Sequence, residues 1–420
     1  MNMRIDQQAD VVIVGAGIGG SALADVLTLG GLSTVVLEKT LEHQDVVRGE
    51  WLSPWGVLEA TELGLTEVYE AAGANRPVRN IYYDELMSRE ESESNMLDMA
   101  QGLPEQPLCL GHPTTCNLLN KKADESGAQI CRGVSQIQVT PGSPPEISFR
   151  WRDDDYNLTP RWIVGADGRN GLVARQIGCE SAHDQEHHLF SGMLVENAED
   201  WPEDLQVIAT EGDVNVLAFP QGDGRVRVYL GWPKEDRGRL IGPDNQQRFL
   251  ENWQLDCIPH SNAIVQATPI SQCITYPNYD AWIDSPVREG VVLIGDAAGR
   301  NDPIIGQGLS IAHRDVRSVR DAMLSEKNWT TAMFDSYVIE RKERMAKLRT
   351  SARLTSLRDS AFGEDGKKLR QGIHERIGKN PDLVAPMVAP FTGPESFPAE
   401  VFSDAFTTQI VGQPIWSDLP

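Results

Sequence analysis

Cysteine is sparse. The six in 420 residues, Cys109, Cys116, Cys131, Cys179, Cys257 and Cys273, include no C-x-x-C pair. That spacing offers neither a zinc motif nor a dithiol redox pair, and predicts core or surface thiols. Positive charge is also short: 38 Lys and Arg stand against 61 Asp and Glu, a formal net charge of −23 at pH 7. Nucleic acid is therefore excluded as an expected partner, and the excess acid reads as a soluble surface. No apolar run approaches the ~20 residues of a membrane span. The N-terminal start is broken by Asp6 and Asp10 and has no small-residue cleavage site, so no signal peptide is expected and a cytoplasmic location is the default. The length suffices for a large core and two or three packed subdomains.

Glycine, by contrast, is concentrated where it carries meaning. Residues 10–14 form an apolar strand that runs into Gly15-Ala16-Gly17-Ile18-Gly19-Gly20 and then an Ala- and Leu-rich helix. This is a dinucleotide fingerprint in its required context: Gly15 for the tight turn, Gly17 for close approach of a pyrophosphate, Gly20 for helix-on-strand packing. A second strand, 34–37, ends in Glu38, placed to accept from adenosine ribose hydroxyls. Its charge repels a phosphorylated ribose, so the pocket suits FAD or NAD rather than NADP. Arg48, in the glycine- and aromatic-rich stretch 46–60, is able to reach back and pair two pyrophosphate oxygens.

Two later stretches repeat the pattern of a strand broken by a glycine-flanked aspartate. Residues 162–164 lead into Gly165-Ala166-Asp167-Gly168, where Asp167 is either an ordinary turn or cap residue or a functional one. Residues 291–294 lead into Gly295-Asp296, followed by Asp302-Pro303 and Gly306-Gln307-Gly308-Leu309, with a helix opening near Gly308. Here Asp296 would stand at the carboxyl edge of a buried strand, where open α/β sheets bind ligands, and a free helix N-terminus would point amides at an electron-rich edge.

In this order the three motifs resemble the class A flavoprotein monooxygenases, the para-hydroxybenzoate hydroxylase family, over roughly the first 345 residues. The resemblance implies an α/β fold: a Rossmann-like FAD-binding domain with an inserted antiparallel β-sheet substrate domain and a helical C-terminal region. It implies FAD, with the adenosine ribose on Glu38, the pyrophosphate near Gly15, Gly17, Gly20 and Arg48, the ribityl chain on Asp296, and the flavin ring beside Pro303, Gly306, Gly308 and Leu309. Val134 joins the implied cofactor contacts, and Asp167 is implied to organise contacts to FAD and NAD(P)H. Three positions depart from the family: His112 stands where Arg or Gln touches the cofactor, Gly171 replaces a Ser, and Gly299 replaces a His. The last is shared with flavin-dependent halogenases and geranylgeranyl-type reductases.

The implied domains are 1–78, 108–182 and 285–345 for FAD, 79–107 and 183–284 for substrate, and 346–420 for the helical region and tail. Strands are expected at 193–196, 206–210, 214–219 and 225–232, with Val214, Val216, Ala218, Tyr229 and Trp232 read as core residues first and as candidates for a substrate-site wall second. The stretch 82–99 reads as an acidic excursion, and the arginines of the helix 340–357 as a solvated face, with pairing to the protein's own acidic surface or to another subunit as the alternatives. His313 reads as structural or cofactor-supporting. The expected activity is transfer of one oxygen atom to a small, aromatic organic substrate, using NAD(P)H, O2 and a flavin C4a-hydroperoxide; no side-chain catalyst is named. Halogenation, flavin-dependent reduction, electron supply by a separate flavin reductase and a non-catalytic FAD-binding role stay open as alternatives.

Overall fold

The computed structural model describes residues 8–45, 47 and 50–417; Arg48 lies outside the described residues. The fold is α/β. The fingerprint strand Val11–Val14 sits inside a six-stranded sheet, between Thr34–Glu38 and Trp162–Gly165, with Val291–Leu293 beyond the latter and Gln129–Arg132 beyond the former. These neighbours are parallel; only the edge strand Val287–Arg288 runs antiparallel. Continuous apolar strands are needed because both faces are covered. Val11 and Ile13 pack under the helices Ile18–Leu29 and Gly308–Ser325, whereas Val12 and Val14 pack with Ile147, Phe149 and Trp151 of a three-stranded antiparallel sheet.

A second, eight-stranded sheet draws on His188–Glu196, Leu205–Glu211, Val214–Gly222 and Arg225–Pro233, with Arg79–Asp84 beside Leu205–Glu211. That last pair is parallel, so the sheet is mixed rather than wholly antiparallel. Its two-residue alternation decides which side chains meet which neighbour. Val214, Val216, Ala218 and Trp232 pack against Phe249 and Trp253 on one face. Of the wall candidates only Tyr229 lies on the other, with Phe190, Leu217 and Phe219, against Ile304 and Ile305 of the late glycine stretch. The other four are core.

Two further expectations change. Residues 82–84 are no solvated excursion: they end the strand Arg79–Asp84, where Tyr83 and Asp84 are buried and Arg370 Nε donates to Asp84 at 3.2 Å. Only the helix Arg89–Ser94 beyond them carries an exposed acidic face. On the helix Asp335–Asp359, Arg341 and Arg344 are buried rather than solvated, because Asp315 binds both: Arg341 Nε lies 3.0 Å from Oδ2 and Arg344 Nη2 2.7 Å from Oδ1.

Candidate active site

The three glycine motifs meet at the carboxyl ends of the parallel strands. Gly15 adopts φ +107°, and a Cβ there would lie 2.4 Å from Ala166 O, so the first motif packs on the second without room for a side chain. Ala166 N donates to Val14 O at 2.8 Å and Ile294 N to Gly165 O at 2.9 Å, which carries the register on to the third motif. At Gly20 a Cβ would lie 1.9 Å from Gly15 O, the close helix-to-turn packing expected of the fingerprint.

Gly17 and Gly308 behave differently. A Cβ at either would meet nothing within 4 Å. Gly17 caps Ile18–Leu29 and Gly308 opens Gly308–Ser325; neither helix has a side-chain N-cap bond or an acid in its first turn. The two ends adjoin, since a Cβ on Gly19 would lie 3.7 Å from Ala312 Cβ. Open space before two uncapped helix N-termini suits the phosphates and electron-rich ring edge of a dinucleotide.

The flanking groups are equally constrained. Glu38 Oε2 accepts from Ala16 N and Oε1 from Thr40 N, each at 2.8 Å. Burial alone would raise its pKa, but these amides overcome that and hold the carboxyl below its ordinary range. Val134 N donates to Glu38 O at 3.0 Å, which brings that residue beside the same strand end. Asn120 Nδ2 donates to Ala16 O at 2.9 Å and so fixes the fingerprint turn from the helix His112–Glu125, a contact the sequence pattern does not reveal. His112, half-buried, opens that helix with Nε2 3.6 Å from Cys116 Sγ.

Asp167 caps the short helix Val173–Gln176: its Oδ2 accepts from Leu172 N at 2.5 Å and Val173 N at 3.1 Å. A Cβ at Gly171 would lie 2.3 Å from its Oδ1, which accounts for glycine where the family has serine. Asp296 stands half-buried on the turn Gly295–Ala298. Arg341 donates to Gly295 O at 3.1 Å, Ala298 O at 2.8 Å and Gly299 O at 2.8 Å, while Gly295 N donates to Asp315 Oδ2 at 2.8 Å. The turn that presents Asp296 is thereby held from behind by a buried ion pair.

The following loop is braced from the other side. Gly306 adopts φ +64°, and a Cβ would lie 2.8 Å from the Trp51 ring. Trp55 Nε1 donates to Gln307 Oε1 at 2.8 Å. Pro303 opens a single 3-10 turn, and Leu309 is buried. Facing this loop, Trp51, Phe219, Tyr229 and Phe190 form a chain of rings with centroid separations of 6.3, 5.8 and 6.4 Å. His313 bonds Tyr69 and, at 2.6 Å, Leu309 O, a structural placement.

Asp302, just before Pro303, is joined by three titratable residues that no motif marks: His187, Asp184 and Asp280. Asp302 is fully buried, and its Oδ2 lies 3.4 Å from His187 Nδ1. His187 Nε2 is 3.4 Å from Asp184 Oδ2. Asp280 Oδ1 accepts from Asn301 Nδ2 at 2.6 Å and from Asp302 N at 3.1 Å. Burial, then the neighbouring carboxylates Asp302 and Asp184, push Asp280 up to about 7. Burial raises Asp302 to about 6 against the opposing pull of His187. Asp184, His187 and Asp280 lie outside every motif and reach Asp302 only through the fold.

Comparison with known proteins agrees with this geometry. The sequence family described as FAD binding domain matches residues 8–352. Squalene epoxidase erg1 of Aspergillus fumigatus is 25% identical over 330 residues, covering 76% of this chain and 67% of that protein. Rifampicin monooxygenase of Rhodococcus hoagii is 27% identical over 346 residues, 80% of this chain and 68% of the relative. The chain spans only 54% of the length of mouse squalene monooxygenase, at 26% identity over 333 residues and 75% of this chain. Among solved structures, p-nitrophenol 4-monooxygenase PnpA from Pseudomonas putida superposes with a TM-score of 0.76 at 16% identity, covering 93% of this chain and 100% of that one. The flavin-dependent halogenase CmlS gives 0.72 at 17% identity, covering 94% and 76%. At these identities the structural matches show the fold.

Proposed function

The chain belongs to the FAD binding domain family, and from that premise we propose that it is an FAD-dependent monooxygenase that uses NAD(P)H and O2 to oxygenate a small aromatic organic substrate. The observation that carries the reading is the ring wall of Trp51, Phe219, Tyr229 and Phe190 against Ile304 and Ile305 of the loop that opens at Pro303. Such a wall binds a flat apolar substrate by area and by edge-to-face contact. Within the proposal, the stretches 79–107 and 183–284 supply the substrate side, 1–78, 108–182 and 285–345 the cofactor side, and 346–420 the helical remainder.

In this reading Glu38 and Val134 hold the adenosine end, Gly15, Gly17 and Gly20 admit the pyrophosphate, and Asp296 takes the ribityl hydroxyls. Pro303, Gly306, Gly308 and Leu309 border the ring, with the first amides of Gly308–Ser325 stabilising negative charge at its edge. Asp167 acts through the backbone it caps, and Arg48 and His112 are proposed as flanking cofactor contacts. Bound there, FAD supplies hydride acceptance and electron transfer to O2. The protein orients the substrate and keeps water out with the buried cluster of Trp51, Phe219, Ile304 and Ile305.

The test is NAD(P)H consumption by FAD-loaded protein across a panel of phenols, indoles and polyketides under 18O2, with product mass read directly. Stimulated oxidation with one labelled oxygen in product supports the proposal; no stimulation and no label across the panel overturns it. Asp302-Pro303 and Gly299 favour halogenation as the second reading, and halide-dependent product with reduced FAD would select it.

A further inference from the structure

His187 precedes the strand His188–Glu196, where the second sheet meets the loop before Pro303. Its two ring nitrogens face two carboxylates: Nε2 lies 3.4 Å from Asp184 Oδ2 and Nδ1 3.4 Å from Asp302 Oδ2. The carboxylates differ in access. Asp184 is 24% exposed at its side chain, His187 17% and Asp302 0%. Asp302 Oδ1 is engaged by Ile304 N at 2.9 Å, whereas Oδ2 and His187 Nδ1 have no hydrogen-bond partner among the described residues and face each other at 3.4 Å. A path of decreasing exposure, from Asp184 through His187 to the buried Asp302 Oδ2, thus ends one residue before the proposed ring loop.

We propose that His187 is a positioning and proton-relay residue that carries protons from Asp184 at the surface to Asp302 beside the ring loop. The inference rests on the monooxygenase reading. That reaction consumes NAD(P)H, one proton, O2 and substrate, and yields NAD(P)+, oxygenated substrate and water, so one proton must reach the site each turnover. The imidazole gains a proton at Nε2 from the Asp184 side and gives the one at Nδ1 to Asp302 Oδ2, leaving Asp302 as the acid next to Pro303.

The surrounding charges set the operating range. Burial opposes the charged ring, but the Asp184 hydrogen bond and the negative charges of Asp302 and Asp184 outweigh it and hold His187 above its ordinary value, with Arg353 opposing. His188 stands with its ring 5.8 Å away and is kept neutral by burial. Asp302 also faces the positive charge of Arg169, and Asp280 bonds its backbone amide. A structural cap alone would explain Oδ1 of Asp302; it gives no reason for Oδ2 to meet an imidazole whose other nitrogen faces a second acid.

The experiment uses full-length, FAD-loaded protein, photoreduced and mixed with O2, so that neither substrate nor nicotinamide is needed. Reoxidation takes up one proton as the reduced flavin anion and O2 become oxidised flavin and hydrogen peroxide. In wild type the rate should fall as pH rises through the His187 titration. His187→Gln should flatten that dependence and slow the step by roughly tenfold or more, the low end for a lost acid-base group or below. His187→Ala should recover rate with added imidazole, which no purely structural role predicts. In apoprotein, 13C-histidine NMR should show the His187 midpoint falling in Asp302→Asn and in Asp184→Asn. A wild-type-like pH profile in His187→Gln, or an unmoved midpoint in both acid variants, overturns the relay while leaving the monooxygenase reading intact. A wild type that neither binds FAD nor reoxidises overturns that reading and the relay with it.

Discussion

Arg341 Nε lies 3.0 Å from Asp315 Oδ2, and both side chains are committed to the one turn that presents Asp296. Arg341 satisfies three carbonyls there, so Arg341→Met leaves them and Asp315 short of partners in a buried setting. Breaking a buried pair in this way costs about 3–5 kcal/mol. Urea unfolding of apoprotein should show that loss; a change below about 1 kcal/mol would mean that the turn holds itself.

Gly17 and Gly20 should respond oppositely to alanine. Gly20→Ala drives a Cβ to 1.9 Å from Gly15 O and should unfold or severely destabilise the apoprotein. Gly17→Ala meets nothing within 4 Å, so apo stability should stay within about 1 kcal/mol. FAD titration should nevertheless weaken roughly tenfold or more, because the methyl enters the cofactor's space. Equal FAD affinity in Gly17→Ala and wild type would place the pyrophosphate elsewhere.

Glu38 titrates below its ordinary value in the fold, so its contribution to stability is present above the unfolded value and is lost as pH falls through the folded one. Glu38→Gln should therefore be less stable than wild type near neutral pH, and the gap should close in acid. Melting curves across that range check the sign, and a gap that widens in acid contradicts it.

Asp280 should show the reverse linkage. With its folded value raised to about 7 from 3.8, the folded state binds the proton more tightly. Its contribution is full below the unfolded value and is lost as pH rises through the folded one. Asp280→Asn keeps an oxygen for Asn301 and Asp302 N but does not titrate. Its melting temperature relative to wild type should rise between about pH 4 and about pH 7; a flat difference would mean that Asp280 is not the buried acid described.

The packing of the glycine motifs was legible because it demands glycine: Gly15, Gly20 and Gly306 each stand where a Cβ would strike backbone or a ring. The second sheet was less so. Val214 and Leu217 are both apolar, and because both faces of that sheet are buried, polarity does not mark which one meets the loop. Arg341 and Arg344 read as surface because a charge pattern does not disclose Asp315, which only the packed helices bring beneath them. Tyr82 and Asp84 read as excursion because Arg358 and Arg370, which cover them, come from the far end of the chain.

The most direct test of the account is FAD affinity in Asp296→Ala, set beside the melting of its apoprotein. Asp296 is half-buried, and its turn is held by Arg341 and Asp315 rather than by its own carboxylate. Apo stability should therefore be nearly unchanged. Loss of a charged acceptor for the ribityl hydroxyls should cost about 1.5–3 kcal/mol, or roughly ten- to a hundredfold in affinity. Fluorescence titration that shows this loss with an unaltered apo melting temperature supports the site. Wild-type affinity with a lowered apo melting temperature would contradict it, and with it the placement of the ring beside Gly308.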